Sequence, residues 1–173
     1  MDNSTSIKDA IWNQFGASLD MLENAINMCP DEHWDTEIKF WYKAYHCVFW
    51  TDYYLTIEPN TFTPPTPFNF SEFDSTNILP DKVFSKNELL AYLQHCKNKS
   101  HKLIAELTDE LLSKRWVNDY KNYSVLEILL YNLRHIQHHS AQLNLHLRQT
   151  INDVPNWVSQ AKDNLSNYSD NKQ

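Results

Sequence analysis

The stretch Arg134 to Leu143 reads RHIQHHSAQL and carries three of the chain's eight histidines; a fourth, His146, follows in the same run. Neutral imidazole exchanges protons near physiological pH and binds borderline metals such as zinc and nickel. His135 and His139 are four residues apart. On a helix they project from one face, one turn apart, with Cβ atoms about 5–6 Å from each other. Two rings at that separation reach one cation at the roughly 2.0–2.1 Å of a Zn–N bond. His138 is rotated by about 100° from His139 and does not share that focus.

His46 is the candidate third ligand. It sits among Tyr42, Phe49 and Tyr53 on the apolar face of an earlier helix, where a lone histidine is ordinarily a hydrogen-bonded core residue. Its height along the helix argues for the ligand. His46 falls near the middle of the second predicted helix, and His135 and His139 near the middle of the last one. All three meet at mid-height whether the helices run parallel or antiparallel. Other metal patterns are missing: Asn132 stands where a di-iron Glu-x-x-His needs glutamate, and Ile136 where H-E-x-x-H needs it. Three neutral imidazoles with a fourth position left open is a common build for catalytic zinc. The ion keeps its full charge and acidifies a bound thiol or water. A metal-dependent thiol transferase, a metal-dependent hydrolase and a non-catalytic metal-binding bundle all fit these ligands.

Four helices must position the trio. Ile7, Ile11, Phe15, Leu19, Leu22 and Ile26 recur at helical spacing, predicting a helix from Thr5 to Met28 that Cys29-Pro30 ends. A second is expected from Thr36 to Ile57 with Asp35 as N-cap. The proline-bearing stretch from Asn60 to Phe84 shows no period and is long for a connection, which predicts a crossover along the bundle or a cover over a substrate. Ser85-x-x-Glu88 and Ser124-x-x-Glu127 are capping boxes opening the third and fourth helices. The third carries its apolar positions on to Leu111; the fourth runs to about Gln149 and is apolar on several sides, predicting burial by three partners or a subunit interface. Trp157 is expected to tuck against the bundle, and the tail from Asn164 to fray.

The composition fits one domain spanning all 173 residues, all-α and with little strand: 42% of residues are hydrophobic and a single glycine, Gly16, is available for turns. A net charge of −7 without a basic block disfavours nucleic acid as a partner. The opening MDNSTSIKDA lacks a basic stretch followed by an apolar run, and no apolar run reaches the roughly 20 residues of a membrane span, so a cytoplasmic protein is expected. Cys29, Cys47 and Cys96 form no C-x-x-C pair and read as reduced, buried thiols.

At these residues the chain resembles the DinB/YfiT-like metalloenzyme family. Pro30-Asp31-Glu32-His33-Trp34, Ala44-Tyr45-His46-Cys47, the fourth-helix H-x-x-H-H and Pro155-Asn156-Trp157 carry the resemblance over nearly the whole length. It implies a four-helix bundle with a long crossover between helices two and three. A divalent ion, zinc or nickel, would be held by His46, His135 and His139. A homodimer acting on a small thiol and a small-molecule substrate is the expected assembly. Where the family often continues His-Arg-Gly-Gln, this chain has His139-Ser140-Ala141-Gln142; Ala141 is expected to permit close helix approach. His33, His95 and His101 are expected at the surface or helix rims, His138 beside the site or packed, and His146 along its approach.

Overall fold

The computed structural model describes residues 6–74 and 79–167. The expected helical start at Thr5 and the end of the polar tail lie outside the described residues. The chain is mostly helical. Helix α1 spans Ile7–Met28, α2 Phe40–Tyr54, α3 Lys86–Ala105, the short α4 Asp109–Ser113, and α5 Val125–Ile151; strands β1 (Arg115–Val117) and β2 (Asn122–Ser124) form an antiparallel hairpin before α5. The helices α1 and α2 each pack against both α3 and α5. Among the described residues, no helix is long and apolar enough to cross a membrane.

Side chains accept from orphan N–H groups that open α1, α3, α4 and α5. Ser6 Oγ accepts from Asp9 N, Ser124 Oγ from Glu127 N, and Ser85 with Glu88 forms the full capping box. The second helix departs from expectation. It begins at Phe40, with Lys39 in the left-handed region (φ 55°), and Asp35 is not its cap. The Asp35 carboxylate instead accepts from Trp41 Nε1 at 2.7 Å and from Lys39 Nζ. The third helix also ends early, at Ala105, because Thr108 caps the new short helix and carries Leu111 into it. At the C-terminal end of α5, Asn152 closes in the left-handed region (φ 54°), a position where asparagine costs little.

The 55–85 connection is tied down by aromatic anchors. Phe62, Phe68 and Phe84 are buried, and Phe68 stacks on Tyr92 at 4.4 Å between ring centroids. Each such side chain contributes about 2 kcal/mol of burial, which offsets the entropy of ordering a long loop. Downstream of α5 the chain returns across α1. Ala161 N donates to Asn13 O, Trp12 Nε1 to Asp163 O, and Lys162 N to Asp20 Oδ2. This strap explains Gly16, where an added Cβ would lie 2.6 Å from Ala161 Cβ. It also corrects two expectations: His101 is buried under the strap against Trp12, while Trp157 is 72% exposed rather than tucked in. The all-round burial expected of the last helix is incomplete too, since Leu130 and Leu145 are half exposed.

Candidate metal centre

His46 comes from α2, and His135 and His139 from α5. His46 lies 4.8 Å from His139 between ring centroids, and Tyr54, two turns further along α2, lies 5.2 Å from Tyr131, two turns back along α5. The two helices therefore run antiparallel, and the histidines meet near mid-height. One nitrogen from each of the three rings lies within 4.8 Å of those of the other two. Two nitrogens sharing one tetrahedral zinc ion are about 3.3–3.4 Å apart, so the rings would draw in by about an ångström to share one ion.

The hydrogen bonds around the trio sort the nitrogens. His46 Nδ1 donates to Glu72 Oε2 at 2.6 Å, and Trp50 Nε1 donates to the same oxygen at 3.0 Å. His139 Nδ1 donates to Gln142 Oε1 at 2.9 Å, and Gln142 Nε2 reaches His138 Nε2 at 3.1 Å. Each bond leaves Nε2 of its ligand ring for a cation. His135 is different: both of its ring nitrogens are buried and make no hydrogen bond. A buried polar atom left without a partner costs about 1–3 kcal/mol, and a cation shared with His46 and His139 would satisfy one of them. The residues present therefore fit a divalent ion.

Electrostatics agree with that fit. Burial, followed by the neighbouring His139 and His46 rings, pushes His135 down to about 3. Burial and His46 likewise push His139 down to about 4. Both rings are neutral at physiological pH, the form that binds metal. Cys47, beside His46 in the chain, is fully buried and its thiol is pushed far above its ordinary range, so it is a core residue and not a nucleophile. Cys29 and Cys96 are also buried thiols, and no disulfide forms.

The other expected residues divide. His138 is exposed and acts on the trio through Gln142. His146 is buried beside Phe40 and His33, at 5.8 and 6.4 Å between ring centroids, and does not line the approach. His33 is half-buried, and His95 is exposed beside Asp52. Ala141 is exposed. Glu72 escaped sequence reading altogether. It lies in a stretch without period, and nothing in its neighbours marks it as facing a helix 26 residues earlier. A carboxylate on the far nitrogen of a ligand histidine orients the ring and raises its basicity, and its loss typically costs 10–100-fold in metal affinity. Glu72→Gln is accordingly expected to weaken zinc binding by about tenfold or more, measured by competition with a chromogenic chelator, without a change in helical circular dichroism.

A mostly helical protein with three histidines converging between two antiparallel helices is a candidate metal-binding bundle. Comparison with protein families places it further: the family model for the DinB superfamily matches residues 14–143. The chain belongs to the DinB superfamily. No match was found among curated proteins or among solved structures.

Proposed function

We propose that His46, His135 and His139 hold one divalent ion, zinc or nickel, and that the protein is a metal-dependent S-transferase acting on a small thiol. The observation that carries this reading is the trio itself, with its nitrogens within 4.8 Å and both ring nitrogens of His135 buried without a hydrogen-bond partner. In this reading the chain is one DinB-like domain, a four-helix bundle whose long 55–85 connection crosses over between α2 and α3.

A divalent ion at this place supplies a Lewis acid that lowers the pKa of a thiol. The chain's own residues do the rest. Glu72 and Gln142 fix the tautomers of His46 and His139, and burial keeps His135 and His139 neutral. Tyr42 beside Glu72 stays protonated, because burial and then the Glu72 carboxylate push its phenol up to about 12. In the transfer, the thiol sulfur bonds to an electrophilic carbon, the leaving group departs with its bonding pair, and the thiol proton passes to solvent. Addition of a small thiol to cobalt-substituted protein is expected to produce a sulfur-to-metal charge-transfer band, and His139→Ala to remove it. A cobalt spectrum indifferent to every thiol tried overturns the transferase reading.

The same proposal includes a homodimer in the cytoplasm. Its support is the outer flank of α5, where Leu130 and Leu145 are 51% and 58% exposed. Light scattering is expected to return twice the 20.5 kDa chain mass, and Leu130→Glu to return the chain mass alone.

A further inference from the structure

The face of α2 that carries His46 continues one and two turns on as Trp50 and Tyr54. These two rings form one wall of a cavity of about 770 Å³, and Phe62, Phe70 and Phe73 from the connection form another. The turn of the hairpin, Asn118 to Lys121, closes a third side. The cavity borders the histidines through two residues. Glu72 lines it while holding His46 Nδ1, and Tyr54 lies 5.8 Å from His135 between ring centroids. Its volume is in the range of small-molecule sites, about 300–1,000 Å³.

Shape and charge together select the ligand. Phe73 packs 5.5 Å from Trp50 and 5.0 Å from Tyr53 between centroids, yet it is 44% exposed. A flat ring entering here meets aromatic faces and edges, and each such pair adds about 0.5–1.5 kcal/mol beyond area burial. Three carboxyl side chains, Glu72, Asp74 and Asp119, line the cavity against one ammonium, Lys121. Lys121 Nζ already lies over the Tyr54 and Tyr131 rings, at 5.7 and 5.1 Å from their centroids. The carboxylates outnumber the ammonium and disfavour an anion, and with the divalent ion proposed next door the charges about the cavity balance and leave no excess to hold a cation. We propose that this cavity binds an uncharged aromatic ring, as the ring-bearing acceptor of the transfer. This rests on reading the neighbouring histidines as a metal centre, although ring binding itself needs no ion.

Calorimetric titration of 2-naphthol and 2-naphthoate into the metal-free full chain separates the possibilities. The two probes share a ring and differ by one charge. Naphthol is expected to bind with Kd below about 1 mM, and naphthoate about tenfold more weakly. Phe73→Ala is expected to weaken naphthol about tenfold, and Trp157→Ala, outside the cavity, to leave it unchanged. Should Phe73→Ala fail to fold by circular dichroism, Phe70→Ala, also at the half-exposed wall, gives the same loss. Absence of naphthol binding, equal affinity for both probes, or unchanged affinity in the folded wall variants overturns the proposal. Zinc stoichiometry measured on the same metal-free samples reads the histidines separately. Zinc binding without naphthol binding sinks this inference alone, and naphthol binding without zinc sinks the metal reading alone.

Discussion

His135→Leu is expected to abolish stoichiometric binding of a divalent ion and, at the same time, to stabilise the metal-free protein. Both effects come from the same two atoms. His135 Nδ1 and Nε2 are buried and make no hydrogen bond, so in the absence of an ion they carry a desolvation penalty with no return. Leucine has a similar volume and no polar atoms. Its neighbours include the Tyr54 ring, which accepts an apolar contact as readily as an imidazole edge. The expected gain is about 1–2 kcal/mol, or roughly 2–8 °C in Tm for a chain of this size. For metal, the variant retains only His46 and His139, and two imidazoles rarely hold zinc against water. Calorimetric melting of chelator-treated protein and zinc titration of the same samples check the two halves. A leucine variant that is less stable without metal would show that His135 has a structural partner, and one that still binds one ion per chain would remove it from the ligand set. Opposite signs for stability and binding are the mark of a residue kept for function.

The second large effect lies away from the histidines. Asp52→Ala is expected to cost about 3 kcal/mol or more, since removing one member of a buried ion pair leaves the other uncompensated. Asp52 is fully buried, and it accepts from Lys99 Nζ at 2.6 Å and from Tyr92 OH at 3.0 Å, with His95 Nε2 at 3.5 Å. Lys99 keeps partial access to solvent, which places the expected loss at the lower end of the usual range. Urea unfolding should show a lower midpoint with an unchanged slope. The pH dependence has a definite sign. Burial pushes the Asp52 carboxyl up, but hydrogen bonds from His95 and Lys99 and the Lys99 charge outweigh it, and the net shift is downward. A carboxyl whose folded pKa is depressed contributes stability that is present above its unfolded pKa, about 3.9, and lost as pH falls through the folded pKa. The unfolding free energy of the wild type should therefore fall more steeply below about pH 4 than that of Asp52→Asn. Parallel acid profiles for the two proteins would show that Asp52 is not held ionised by these partners.

Spacing alone determined a good deal about this protein. The four long helices follow from apolar residues at three- and four-residue intervals, and their starts at Ser85 and Ser124 from hydroxyls that accept a backbone N–H three residues on. These are local interactions, decided within one or two turns. The pairing of His135 with His139 is equally local. The meeting with His46 could be anticipated because residues near the middle of two packed helices come close in either orientation, and the structure brings the three nitrogens together.

Interactions between distant segments decided what spacing could not show. One exception is local: the indole of Trp41 and the ammonium of Lys39, six and four residues on, take the Asp35 carboxylate, and the second helix starts at Phe40 without it as a cap. His101 is buried because a strap 60 residues later passes over it, and the lone glycine sits where that strap crosses α1. Glu72 reaches His46 only because Phe62, Phe68 and Phe84 pin an aperiodic connection against the bundle. Periodicity records which side of an element is apolar, but not which distant segment will cover it. The helices and the histidine pair were therefore legible in the chain, while the carboxylate behind His46 and the aromatic cavity beside it exist only where the connection folds back.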